Sequence, residues 1–335
     1  MYLSTSGSTK GTPAFPRILG DVGGTNVRFA VQETEQHRLE RVEKFACQDF
    51  PGFSDALLHY QRRVGTHARA AAFGIANPVT GPDLAMTNHP WAFSIEQVRR
   101  ERSLDALLFL NDFTALSLGI SSLKPERLLR VGGGDGDPSA PFAILGPGTG
   151  LGVSGLYTAE GGSVRIPISG EGGHVTLAAG SDREAALLSI LRRAFGHVSA
   201  ERVLSGQGLV LLYSAIGELD QAADAGRGVL DPAQVLSLAE QAEPTAVATV
   251  QQFAQFLASV SGDLALTLGA RGGVFLAGGI SPRIQSSILA PEFRERFEAK
   301  GRFRSYLAQV PIWLIQDSLE PALLGASEAL SRRLA

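Results

Sequence analysis

Glycine turns and a few carboxylates hold most of the chemistry available to this 335-residue chain. Gly20 to Thr25, Gly146 to Gly152, and Gly278 with Gly279 each follow an apolar run. A glycine turn between strands brings backbone N–H groups close to a bound anion, because no Cβ intervenes and positive φ costs little. Singly, each turn fits plain hairpin geometry equally well; three in one chain favour phosphate binding. Neither widespread nucleotide signature is present: there is no G-x-x-x-x-G-K-[ST], and no G-x-G-x-x-G opens a helix after a strand. A P-loop or Rossmann fold is therefore disfavoured.

Asp21 falls inside the first turn, where it would hold a metal-bound water near a phosphate while Thr25 donates its hydroxyl. The plainer role is a side chain bonding its own turn. Mg²⁺ usually takes one or two carboxylates plus substrate phosphates, so one aspartate suffices. Asn111 and Asp112 follow the apolar run LLFL (Leu107 to Leu110), at the carboxyl end of a buried strand, where open α/β sheets place ligand crevices. An adjacent amide and carboxylate suit a polyol, one gripping hydroxyls and the other accepting a proton; the competing role is an N-cap for a helix from Phe113. In GEGGH, Glu171 and His174 stand three apart around two glycines. Bonding to hydroxyls suits this pair better than a metal, which would need further ligands; a structural loop is the alternative. Glu201 follows Ser199 near a helix start, where the dipole favours a carboxylate in any case. Cys47 is the one cysteine, which rules out an internal disulfide and a multi-cysteine zinc motif, and it reads as a small apolar side chain.

Strands and helices alternate around these residues, the pattern of an α/β protein. Ile18 to Asp21 and Val27 to Gln32 form a strand pair around the first turn, Ala70 to Ala76 a third strand, and Leu107 to Leu110 a fourth. Phe142 to Leu145, the turn GPGTG and LGVSGL repeat the strand, glycine turn, strand unit, which hints at a duplicated ancestral domain. Gly132 to Ala140 is the best candidate for a boundary or surface loop. Ser181 with Glu184 predicts a capping box, Asp231 with Pro232 a helix start, and Pro244 to Gly269 one long helix. Val274 to Gly279 and Ile312 to Ile315 read as strands, with a final helix from Pro321.

Composition bounds the class. Hydrophobic residues at 44% and charged residues at 19% describe a globular protein of one or two domains. A net charge of −3 lacks the basic footprint of a nucleic-acid binder. No apolar stretch approaches the roughly 18 residues that span a bilayer, and residues 4 to 12 are too polar for a signal peptide. Residues 1–15 read as a disordered N-terminal tail on a cytoplasmic enzyme.

The motifs GDVGGTN, TNHPWAFS, LNDFTA, GPGTGLGV, GEGGH, HVSAERVLSG and GGVFLAGGI resemble those of the bacterial glucokinase family, in that family's order, from Ile18 to Leu324. The resemblance implies an α/β, actin-like ATPase (ribonuclease H-like) two-domain sugar kinase fold with an interdomain cleft. It implies a small domain of residues 16–123 plus 313–335, completed by the C-terminal strand and helix, and a large domain of residues 124–312. It implies that Gly20, Asp21, Val22, Gly23, Gly24 and Thr25 make the first phosphate loop, Gly148, Thr149 and Gly150 the second, and Gly278 with Gly279 the edge of the adenosine pocket. Asn111, Asp112, Glu171, His174 and Glu201 then match glucose contacts, with Asp112 the catalytic base. The implied reaction moves the ATP γ-phosphoryl group to the 6-hydroxyl of D-glucose, with Mg²⁺, in a cytoplasmic homodimer. A non-catalytic sugar sensor on the same fold would have no need of Asp112, and an actin-like chaperone or filament protein would leave the sugar-binding residues unexplained.

Overall fold

The computed structural model describes residues 1–7, 15–35, 39–87, 89–159, 164–221 and 230–334. It divides into two compact units, one from Met1–Lys124 with Asp317 onward, the other from Pro125–Gln316. The first contains β1 (Tyr2–Thr5), β2 (Arg17–Val22), β3 (Asn26–Gln32), β4 (Glu40–Ala46), α1 (Phe53–Val64) and β5 (Ala70–Ile75). A short hairpin of β6 (Asp83–Ala85) and β7 (Ala92–Ser94) follows, then α2 (Ile95–Glu101), β8 (Ala106–Asn111) and α3 (Asp112–Gly119). The second contains β9 (Leu128–Gly132), β10 (Phe142–Pro147), β11 (Leu151–Ala159), β12 (Val164–Ser169), α4 (Asp182–Phe195), α5 (Ala200–Val203) and α6 (Gly206–Leu219). It continues with α7 (Pro232–Glu240), α8 (Pro244–Leu268), β13 (Gly273–Leu276), α9 (Gln285–Leu289), α10 (Pro291–Glu298), α11 (Arg304–Ala308) and β14 (Ile312–Ile315). The chain then returns to the first unit as α12 (Leu319–Leu334).

Each unit is built on a six-stranded sheet, in the orders β4-β3-β2-β5-β8-β1 and β12-β11-β10-β13-β14-β9. In the first sheet β2, β5 and β8 are parallel and the other three strands antiparallel to their neighbours. The second repeats this, with β10, β13 and β14 parallel. The match is strand for strand and bears out the duplication that the glycine-turn units suggest. It extends to β1 and β9, each of which precedes the first central strand and lies antiparallel at the far edge.

β1 corrects the reading of residues 1–15 as a disordered tail. Tyr2–Thr5 pairs with Ala106–Phe109. Ser4 is buried, donating its hydroxyl to Glu96 Oε2 at 2.6 Å and accepting from Arg99 Nε at 3.0 Å. A polar Ser- and Thr-bearing segment makes an edge strand once a sheet edge is available to satisfy its backbone. Residues 8–14 of that expected tail lie outside the described residues. A second correction concerns Ile312–Ile315, expected to complete the small domain: it pairs with β13 and β9 in the second unit's sheet, and only the helix after it returns. Apolar periodicity reveals a strand but not which sheet takes it. The stretch Gly132 to Ala140 lies inside the second unit, Gly132 closing β9 and the rest forming a loop, while the units border at Lys124 and Pro125 and again at Gln316 and Asp317.

Local chemistry accounts for several elements. The central strands β5 and β8 are continuous apolar runs because both faces of the sheet are covered. One face of the first sheet packs Phe29 and Phe73 against Phe53 of α1. α3 and α12 lie on the other, in direct backbone contact, since a Cβ at Gly119 would overlap the Pro321 carbonyl and one at Gly325 the Ala115 carbonyl. α8 runs from Pro244 at its first position to Gly269, whose φ of +62° ends it in the left-handed conformation. Ser181 caps α4 as expected, but Glu184 does not complete a capping box: its carboxylate accepts from the Gly180 N–H and pairs with Arg296 at 2.6 Å. The guanidinium is the stronger attraction for a buried charge.

Candidate active site

In the first unit the strands β2 and β3 meet in a turn at Gly23–Thr25. The Gly23 N–H donates to the Asn26 carbonyl at 3.0 Å. Cys47, just after β4, holds the turn from below: its N–H donates to the Thr25 carbonyl at 2.9 Å and its thiol to the Gly23 carbonyl at 3.4 Å. The cysteine is buried, in keeping with its small apolar character, and burial pushes its thiol up. Thr25 is exposed.

Gly20, Asp21 and Val22 lie in β2 rather than in this turn, because the backbone pairing runs to Val22 and Val27. Gly20 serves packing: a Cβ there would come 2.6 Å from the Phe73 ring. Asp21 lies directly across from Arg28 on β3 and pairs with it at 2.9 Å. Burial pushes the Asp21 carboxyl above its ordinary value, opposed by the Arg28 guanidinium. Composition and motif gave no hint of Arg28, but period-two alternation through the hairpin register places it opposite Asp21.

Asn111 and Asp112 divide two roles. Asn111 Oδ1 accepts the Thr114 N–H at 3.1 Å and so is the N-cap of α3. Asp112 is the first helical residue, half-buried, with Oδ1 accepting the Phe113 N–H at 2.9 Å. Gly74 on β5 lets this helix start sit close to the sheet, since a Cβ there would lie 3.3 Å from the Asp112 Cα. Gly74 is also the register partner of Asp21, so Asp21 and Asp112 share one sheet face. Sequence reasoning missed Gly74, an unremarkable glycine inside the run AAAFGI.

In the second unit the expected residues converge on the turn between β10 and β11. Gly148 donates its N–H to the Gly150 carbonyl, and its own carbonyl accepts from Gly206 at the start of α6, both at 2.8 Å. The Gly278 turn packs onto the same strand end: a Cβ on Gly146 would lie 2.5 Å from the Ala277 carbonyl carbon. Gly278 has φ +79°, and a side chain there would also strike the Pro147 carbonyl. The Gly279 position is open. These two glycine turns therefore form one backbone-lined patch at the carboxyl ends of the parallel strands β10 and β13.

Glu201 and His174 sit against that turn. Glu201, on the short helix α5 capped by Ser199, accepts the Leu151 N–H at 2.8 Å through Oε2. His174 Nε2 lies 3.8 Å from Glu201 Oε1. Gly172, in the same short helical turn as His174, packs on β11, where a Cβ would come 2.7 Å from Val153. Glu171 precedes this turn, is exposed, and accepts the His174 N–H on its carbonyl at 3.0 Å. Among the described residues no cluster of three or more His, Cys, Asp or Glu could hold a metal ion, and no helix is long and apolar enough to cross a membrane.

Comparison with known proteins places these features in a family. The family model for glucokinase matches residues 18–333. The glucokinase of Aromatoleum aromaticum is 47% identical over 324 residues, 96% of each chain. A glucokinase structure from an Antarctic psychrotroph superposes with a TM-score of 0.83 at 35% identity, covering 95% of this chain and 99% of that one. A ROK family glucokinase from Streptomyces griseus, solved with glucose and AMPPNP, superposes at 0.64 with 18% identity, covering 95% of this chain and all of that one. The actin-like ATPase fold expected from the sequence is the fold of these structures.

Proposed function

As the chain belongs to the glucokinase family and phosphorylates glucose with ATP, we propose that Asp112 is the base that receives the proton of the glucose 6-hydroxyl during transfer of the γ-phosphoryl group. The observation that carries this is the division of roles at the start of α3: Asn111 supplies the helix cap, and the half-buried Asp112 stands beside it on the face shared with Asp21.

Asp112 orients the hydroxyl and takes its proton as the new P–O bond forms. An aspartate of ordinary pKa, about 3.9, is far too weak to ionise a free alcohol beforehand. Phosphoryl transfer depends mainly on positioning and charge neutralisation. Asn111, Glu171, His174 and Glu201 are proposed to hold the sugar hydroxyls. The turns Gly23 to Thr25 and Gly148 to Gly150 are proposed to face the phosphates, their Gly23 and Gly148 N–H groups being spent within the turns, and Gly278 with Gly279 to border the adenosine.

Asp21 suits a water-mediated contact with Mg²⁺. It is a single carboxylate, and its burial leaves it under-compensated even with Arg28 in place. The cation would neutralise phosphate charge when bound with ATP. The proposal includes a cytoplasmic homodimer, on the strength of the family resemblance.

A coupled assay tests the reading. Purified protein releases ADP from ATP when glucose and Mg²⁺ are present and not when glucose is replaced by 6-deoxyglucose. Equal ADP release with the deoxy sugar would overturn the 6-hydroxyl assignment.

A further inference from the structure

We propose that Glu201, beyond holding sugar, is a positioning residue for the second glycine turn, so that each ligand of the second unit depends on the other's contact. The inference rests on reading Glu201 as a sugar contact and Gly148 to Gly150 as a phosphate turn. Glu201 Oε2 accepts the Leu151 N–H at 2.8 Å, across fifty residues of sequence. This is the first N–H after the turn, so the carboxylate fixes the turn's exit just as Gly206 fixes its entry through the Gly148 carbonyl. Both ties come from one stretch of chain, α5 and the start of α6. A carboxylate acceptor makes the tie charge-assisted and roughly twice as strong as a neutral one.

Gly150 is shaped for this contact. A Cβ at that position would strike Glu201 Oε2 itself, so its absence admits the carboxylate beside the turn. The other oxygen, Oε1, points towards His174 Nε2 at 3.8 Å, and the side chain is one-third exposed, leaving it accessible to a hydroxyl donor. One carboxylate thus has an oxygen on the phosphate turn and an oxygen on the sugar side. A tie made before either ligand arrives lowers the ordering cost that each would otherwise meet.

Crossed binding measurements test this. Calorimetry on the whole chain is run with glucose alone and with Mg²⁺-AMPPNP alone. Gly150→Ala, a change in the nucleotide turn, is expected to weaken glucose about fivefold or more with no nucleotide present. Glu201→Ala, a change at the sugar contact, is expected to weaken Mg²⁺-AMPPNP by a similar factor with no sugar present. Because the Gly150 methyl would itself meet Glu201, the nucleotide value of Glu201→Ala is the one that a role confined to the sugar leaves unmoved, and a value within about twofold of the unaltered protein in either arm overturns the proposal. Should Gly150→Ala fail to fold by circular dichroism, the Glu201→Ala arm decides alone. Failure of the unaltered protein to bind glucose or AMPPNP would instead overturn the underlying reading of the site.

Discussion

The two sheets have the same strand order and directions, yet their equivalent strand ends are finished with different chemistry. At the next-to-last position of the first central strand, β2 carries Asp21 paired with Arg28, whereas β10 carries Gly146 opposite Gly152. The charged pair puts a carboxylate on the sheet face that Asp112 shares. Gly146 lets the Gly278 turn press against the strand. The turns beyond are also held differently, one by the thiol and N–H of Cys47, the other by the Glu201 carboxylate. A duplicated topology fixes where a turn falls, and the residues reaching in from neighbouring elements decide what it can bind.

The same contrast recurs at the fifth strand. β8 is continued by Asp112, and β14 by Gln316 and Asp317, which precede α12. Asp317 Oδ1 accepts the Leu319 N–H at 3.0 Å at the start of α12, while at α3 that service falls to Asn111. Asp112→Asn is therefore expected to lower turnover at least about 100-fold with glucose affinity nearly unchanged. Asp317→Ala is expected to lose about 1 kcal/mol of stability while turnover stays within about twofold. Steady-state kinetics with denaturant unfolding reads both, and equal kinetic losses would erase the distinction between the two aspartates.

The glycines of the second turn separate in the same way. Gly146→Ala is expected to destabilise by about 2–3 kcal/mol, because the neighbours of the new methyl are backbone atoms that cannot give way. Gly148→Ala meets nothing within 4 Å, so stability should change by less than about 0.5 kcal/mol while the KM for ATP rises. Matching melting temperatures for the two variants would remove the claim that Gly146 is packing and Gly148 is binding surface.

The smallest effect concerns the charged pair. Because the folded-state value for Asp21 is raised, the native chain holds that proton more tightly than the unfolded chain. This contribution to stability is therefore fully present below the unfolded carboxylate value, near 3.9, and is lost as pH rises through the raised folded value. Asp21→Asn should flatten that decline, by no more than about 1.4 kcal/mol per pH unit, the limit for one proton. Unfolding free energies from pH 3.5 upward would check it, and parallel slopes would show that Arg28 fully compensates the carboxylate.

Much of this arrangement is legible in the chain itself. Glycines clustered after apolar runs locate the turns of both units, and Pro244 and Gly269 bracket α8 at its observed ends. Asn111 and Asp112 fall where strand becomes helix, as LLFL followed by ND implies. The misses share a physical cause: each depends on a pairing partner or register that the local pattern does not specify. Tyr2–Thr5 is polar enough to read as tail until Ala106–Phe109 offers it an edge. Ile312–Ile315 is plainly a strand, but β13 and β9 decide its sheet. Glu184 fits a capping box until Arg296, far along the chain, claims its carboxylate. Arg28 and Gly74 gain meaning only from the register that sets them beside Asp21.

The return of α12 bears on biosynthesis. The helix that covers α3, with Pro321 against Gly119 and Ser327 bonded to the buried guanidinium of Arg17, is made only after the entire second unit has been translated. During synthesis the first sheet therefore waits with one face covered by α3 alone, and the earliest-begun unit of the molecule is the last to be finished.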